Sequence, residues 1–116
     1  MISKELLSEV LGHSITILEE NTSLNPRGVD VVFRYNNHRG KIGSINIYEL
    51  AHKCKEWADN EFGYIMQSWT LGKEGKCKLS NITNGVPIVV ELCLMNSDTE
   101  PEAIFKACEW ILKEQQ

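Results

Sequence analysis

The chain has 116 residues, of which 42% are apolar and 24% charged. That is the profile of one globular domain over residues 1–116, and it excludes disordered, collagen-like and coiled-coil chains. Twelve Lys and Arg against sixteen Asp and Glu give a net charge of −4, which argues against a broadly basic duplex binder and against an anionic membrane surface. No apolar run reaches the roughly 18 residues of a bilayer span. The opening Met-Ile-Ser-Lys-Glu-Leu-Leu-Ser-Glu has no basic head followed by an apolar stretch. The expectation is a cytoplasmic protein without a signal peptide or a membrane partner.

Ser3 to Leu11 reads as a first helix, with Leu6, Leu7, Val10 and Leu11 on one stripe, Ser3 as cap and Gly12 as stop. Ser14 to Glu19 alternates as a strand. Glu20 to Gly28 is a loop rich in Asn, Pro and Gly. Val29, Val31, Phe33 and Tyr35 alternate as a second strand, and Asn36 to Gly40 turns into a third, Lys41 to Ile45.

Asn46 with Glu49 has the spacing of a capping box. Ile47, Leu50, Ala51, Cys54, Trp57 and Ala58 then repeat at helical spacing. Glu49 and Lys53 on the outer face form a favourable i,i+4 pair. Gly63 marks the exit. Tyr64 to Leu71 is a fourth strand, Gly72 to Gly75 a tight connection, and Lys76 to Ile82 a fifth strand. Asn84-Gly85 is a hairpin turn signal. Val86 to Met95 is apolar at almost every position, which predicts a central strand covered on both faces. Thr99 with Glu102 is a second capping box, Pro101 sits in the first helical turn, and Ile104, Phe105, Cys108, Ile111 and Leu112 form the core stripe of a last helix.

The order α-βββ-α-βββ-α predicts an α+β fold with a mostly antiparallel sheet of about six strands packed with three helices. Leu50, Cys54, Trp57, Ile88, Val90, Leu92, Ile104, Cys108 and Ile111 are the expected core. At an offset of 53, Glu49, Lys53, Glu56 and Trp57 fall on Glu102, Lys106, Glu109 and Trp110. Internal duplication and generic helix chemistry both account for this match.

Catalytic signals are sparse. No serine or cysteine sits in a nucleophile elbow. Gly72 and Gly75 lead to a strand rather than to the Lys-Ser/Thr and helix of a phosphate loop. His52 and Glu56 are i,i+4 partners on a helix, read as a solvated pair rather than an acid–base pair. His13 precedes the first strand. The four cysteines, Cys54, Cys77, Cys93 and Cys108, contain no C-x-x-C, and His52 and Cys54 point about 200° apart on a helix. The reading is a non-enzyme with no cofactor and no metal, its cysteines serving as small core residues.

Two basic clusters surround hairpin tips: Arg34, His38, Arg39 and Lys41 at one, Lys73, Lys76 and Lys78 at the other. With Tyr35 to stack a base, these are the candidate contacts for nucleic acid or a partner. The plainer account is that solvated tips are polar and that lysines discourage edge pairing.

The stretch Ser44-Ile-Asn-Ile-Tyr-Glu-Leu-Ala-His-Lys-Cys-Lys-Glu-Trp-Ala58 and the ending Asp98-Thr-Glu-Pro-Glu-Ala-Ile-Phe-Lys-Ala-Cys-Glu-Trp-Ile-Leu112 together resemble the phage ABA sandwich domain, found in small proteins of bacteriophages and prophages. The resemblance covers roughly residues 44–114 and rests on caps and core positions. It implies a sheet sandwiched by helices and a phage-type origin, and it carries no activity, catalytic residue or ligand to transfer. The functional expectation is a small accessory protein that binds a host protein, in its sharper form an anti-CRISPR-like inhibitor of a bacterial defence system. The alternative is a nucleic-acid-binding accessory protein using the basic tips.

Thiol titration of the denatured protein is expected to count four free thiols, and metal analysis after chelator-free purification to find no more than trace zinc. One zinc per chain would overturn the cysteine reading.

Overall fold

The computed structural model describes residues 2–20, 30–37, 39–82 and 89–115. Its elements run α1 (Lys4–Leu11), β1 (Ile15–Glu20), β2 (Asp30–Tyr35), β3 (Ile42–Asn46), α2 (Ile47–Phe62), β4 (Ile65–Leu71), β5 (Glu74–Ile82), β6 (Val89–Ser97) and α3 (Glu100–Glu114). The expected order α-βββ-α-βββ-α is the observed one, and the fold is α+β. The six strands divide into two three-stranded antiparallel sheets, β1-β2-β3 and β4-β5-β6. No strand of one sheet pairs with a strand of the other among the described residues.

Local chemistry sets the element ends. The Ser3 hydroxyl accepts from the Leu6 N–H at 3.1 Å, and Gly12, at φ 73°, closes α1 in the left-handed conformation that favours glycine. Asn46 Oδ1 accepts from the Tyr48 N–H at 2.8 Å, one residue earlier than a capping box requires. Thr99 Oγ1 accepts from the Glu102 N–H at 3.3 Å, as expected. On the outer face of α2, His52 Nε2 lies 2.8 Å from Glu56 Oε1; among the described residues Glu49 and Lys53 do not pair. Gly72, with φ 63°, takes the first place of a two-residue turn closed by Leu71 and Glu74. This is the type II′ geometry that matches strand twist, and it lets β5 begin two residues earlier than the sequence suggested.

One expectation is corrected. β6 lies at the edge of its sheet and β5 at the centre. Two successive hairpin connections force the order 4-5-6, so the middle strand is flanked whatever the apolarity of the third. The Asn84-Gly85 turn, Ile88 and the side chains of Val90, Leu92 and Cys93 lie outside the described residues.

The core is built from one face of each sheet and the inner faces of the helices. Ile15, Val31, Phe33 and Ile45 come from the first sheet, Cys77 and Leu79 from β5, and Leu50, Cys54, Trp57, Ile104, Phe105, Cys108 and Ile111 from α2 and α3, all buried. Every expected core residue among the described side chains is therefore in the core. Small buried side chains, Ala51, Cys54 and Ala58 on α2 and Ala107 and Cys108 on α3, let the two helices approach closely, with the Cys108 sulfur 3.7 Å from the Cys54 carbonyl oxygen. The helices cover one face of each sheet. On the opposite faces Leu18, Ile42, Trp69 and Leu71 meet solvent.

Two glycines permit close approaches. An added Cβ on Gly43 would lie 2.9 Å from the ring of Phe33, the residue directly opposite on β2. At Gly75 it would lie 2.0 Å from the carbonyl carbon of Thr99 and 2.1 Å from the Glu100 nitrogen, so the first turn of α3 rests on the bare backbone of β5. Gly75→Ala must move backbone against backbone. It is expected to cost about 3 kcal/mol or more, against about 1–2 kcal/mol for Gly63→Ala, where only the positive φ of 72° is strained and the surrounding space is open. Denaturant melts of the two variants measure the difference, and equal losses would show that α3 does not sit on Gly75.

Candidate functional site

Successive strand side chains point to opposite faces. In β4 this separates Met66, Ser68 and Thr70 from Ile65, Gln67, Trp69 and Leu71. Register assigns the faces. Met66 lies opposite Leu79 and Ser68 opposite Cys77, both of which are fully buried under the helices. Ser68 also donates to the Glu100 carboxylate of α3. The other row therefore faces out: Trp69 opposite Lys76, Gln67 opposite Lys78 and Leu71 opposite Glu74. Trp69 is 38% exposed and Leu71 64%.

The Lys76 ammonium lies 3.2 Å from Glu74 Oε2 and donates to Asn96 Oδ1 at 2.7 Å, with only 18% of its side chain exposed. It is thereby held flat across the strands and largely neutralised. Lys78 is half-buried on the same face, and Lys73 is exposed at the turn. The second basic cluster thus surrounds an exposed tryptophan.

The first cluster is arranged differently. Arg34 points out from β2 opposite the exposed Ile42. Arg39 takes φ 55° at the tip, and Lys41 is exposed beside it. Tyr35 shares the parity of Val31 and Phe33 and so turns toward the helix side. Its ring packs edge-on to His13 at 5.3 Å and to Phe33 at 5.2 Å. A tyrosine held between two rings on the inner side does not share a face with Arg34. His38 lies outside the described residues. The two clusters belong to different sheets.

The side chains of His52 and Glu56 are 73% and 58% exposed, so water competes for every bond a catalytic pair would need. The Cys108 S–H donates to the Cys54 carbonyl at 3.7 Å. A hydrogen bond with the Cys54 side chain, followed by burial, pushes the Cys108 thiol far up from its ordinary range. It stays protonated and is no nucleophile at neutral pH. An open groove of about 590 Å³ runs beside α1 and is lined by Glu5, Ser8, Glu9 and His13 among others. Among the described residues no cluster of three or more His, Cys, Asp or Glu is placed to hold a metal ion, and no helix is long and apolar enough to cross a membrane.

The sequence leaves open which of Trp57, Trp69 and Trp110 is exposed and does not single out Leu71. Hydrophobicity alone would assign the Ile65-Trp69-Leu71 row to the core and the Met66-Ser68-Thr70 row to solvent. The signal that reverses this is the neighbouring strand: Gly75, Cys77 and Leu79 must lie under α3, and pairing carries their parity into β4. Comparison with protein-family models, with curated proteins and with solved structures finds no match.

The three tryptophans are now distinct. Trp57 is 7% exposed, so Trp57→Ala should cost about 3–5 kcal/mol in denaturant melts, as truncating a buried aromatic does. Trp69→Ser should cost under about 1 kcal/mol. A reversed ranking would place Trp69 in the core and remove it from the candidate surface.

Proposed function

We propose that this is a small non-catalytic accessory protein of phage or prophage type that acts in the cytoplasm by binding a host protein. The observation that carries the reading is the outward row of β4. There Trp69 and Leu71 are exposed beside a lysine already paired with Glu74 and hydrogen-bonded to Asn96. A rigid, half-exposed tryptophan on a sheet is a suitable anchor for a protein interface, because it offers a large area at little entropic cost. The resemblance of residues 44–114 to the phage ABA sandwich domain supports the phage-type origin.

The charge distribution supports the sharper form, an inhibitor of a bacterial defence system in the anti-CRISPR manner. The three helices hold ten carboxylates against five lysines, while the rest of the chain holds seven Lys and Arg against six carboxylates. An acidic helical layer suits the basic groove of a nuclease. The nucleic-acid alternative draws on one observation, the exposed Trp69 with Lys73 and Lys78 around it, which is the pairing of a stacking platform with cations.

Immobilised wild-type protein is expected to retain one stoichiometric protein from a bacterial lysate, unaffected by nuclease and lost with Trp69→Ser. The free protein should show no salt-sensitive binding to short DNA or RNA at micromolar concentration, because the acidic helices act against the two tips across the roughly 8 Å Debye length at 0.15 M salt. Nuclease-sensitive recovery, or binding that fades with salt and is abolished by Arg39→Glu with Lys73→Glu, would put the nucleic-acid reading first.

A further inference from the structure

The edge of a sheet is a row of N–H and C=O groups open to pairing with another strand, and natural edges are usually blunted. The edge strands here are β1, β3, β4 and β6. β1 ends in Glu19-Glu20 and has an irregular register between Ile17 and Glu19. β3 is five residues long with Gly43 inside it. β6 carries Glu91. β4 has no such device. Ile65–Leu71 is seven residues without charge, proline or glycine, and it pairs with β5 in unbroken register. Among the described residues its backbone pairs with β5 alone.

The hairpin fixes which backbone groups face outward. Leu71 and Glu74 close a two-residue turn, so they exchange both of their hydrogen bonds. Alternation then commits Trp69, Gln67 and Ile65 to β5 and leaves the N–H and C=O groups of Met66, Ser68 and Thr70 pointing away from the sheet.

We propose that two copies of this chain pair antiparallel through β4, about a two-fold axis at Ser68, to form a continuous six-stranded sheet. In that register Ser68 lies opposite Ser68 of the second copy and Met66 opposite Thr70. These are the residues whose backbone groups point outward, so each such pair exchanges two hydrogen bonds. On the outer face Leu71 meets Ile65 of the second copy and Trp69 meets Gln67. The apolar row of one copy thereby continues into the other and covers Leu71, the most exposed large apolar residue of the described chain at 64%. An axis at a neighbouring residue leaves strand ends unmatched, whereas the axis at Ser68 pairs all seven residues.

Charge agrees with this register. No like charges meet along the strand. Continued by two residues, the register sets Lys73 opposite Gly63 of the second copy, at the C-terminus of α2. The last turn of that helix holds Asp59 and Glu61 and no cation of its own, so an incoming lysine approaches an acidic turn and the negative end of the helix dipole. An isologous contact of this kind is closed and stops at two copies. It does not depend on the identity of any host protein.

Sedimentation equilibrium of the full chain reads the proposal directly. The mass is expected to rise with concentration toward twice 13.2 kDa. Thr70→Pro removes an N–H that faces the edge, and so removes no bond to β5. Symmetry doubles the loss at the contact, and the dissociation constant should rise about tenfold or more. Amide hydrogen exchange of the wild type gives a second reading that does not depend on a variant folding. Met66, Ser68 and Thr70 should gain protection as concentration rises, while Gln67 and Trp69 are protected throughout. A monomeric mass at the highest concentration with those three amides exchanging freely would overturn the proposal, as would a dimer whose affinity Thr70→Pro leaves unchanged.

Discussion

The rest of the structure depends on how α3 is seated. Its buried residues, Pro101, Ala103, Ile104, Phe105, Ala107, Cys108 and Ile111, occupy more than half of its circumference, because it packs against the second sheet on one side and against α2 and α1 on the other. Polar contacts pin it at several heights. Glu100 accepts from Ser68 of β4, Lys106 donates to the Asn96 carbonyl of β6, and Glu109 accepts from the Ser3 N–H at the head of α1. The seat is possible only because β5 offers a glycine under the first turn. A helix buried on two sides requires small residues where neighbours come closest, and the alanines and cysteines of α2 and α3 stand there.

That seat decides the character of the second sheet. With Gly75, Cys77 and Leu79 turned to the helix, the alternate residues of β5 and their partners on β4 have to face away. The outer face holds a tryptophan, a leucine and lysines because of parity, not because it is uniformly polar. An antiparallel sheet with one face on a core and one in water is an ordinary arrangement; what gives this one its interest is apolar area on the wet face next to an uncharged edge. The same division separates charge, with the acidic surplus on the helices and the basic tips on the hairpins. The two βββα units share strand order and have helix caps 53 residues apart, at Asn46 and Thr99. Their helices dock differently: α2 contacts β3 and β4, whereas α3 contacts all three strands of its own sheet. Trp57 and Trp110, matched at that offset, are buried and half-buried respectively.

Much of the fold was legible in the sequence because short-range physics writes it there. The helix stripes, the caps at Ser3, Asn46 and Thr99 and the glycine stops at Gly12 and Gly63 each depend on residues within a turn or two of one another. The tight connection expected at Gly72 to Gly75 is likewise local, and the structure narrows it to Gly72-Lys73, where a positive φ at the first turn position selects glycine. By the same means Cys54, Cys77 and Cys108 were placed in the core and His52 on a solvated helix face.

The candidate surface was not legible in this way. β4 presents two rows of mixed polarity, and its own composition favours the wrong one for the core. Tyr35 reads as a partner of Arg34 by adjacency, yet period-two geometry turns it to the other side of the sheet. The strong apolarity of residues 86–95 reads as a central strand, yet chain connectivity puts β6 at an edge. By itself the sequence determined the order of elements, their caps and turns and most of the core, since these are set by contacts between near neighbours along the chain. Only the tertiary structure decided the division into two sheets, the face that Trp69 occupies and the strand edge left open, because each depends on which residues α3 covers, and that is settled by pairing and packing between segments far apart in sequence.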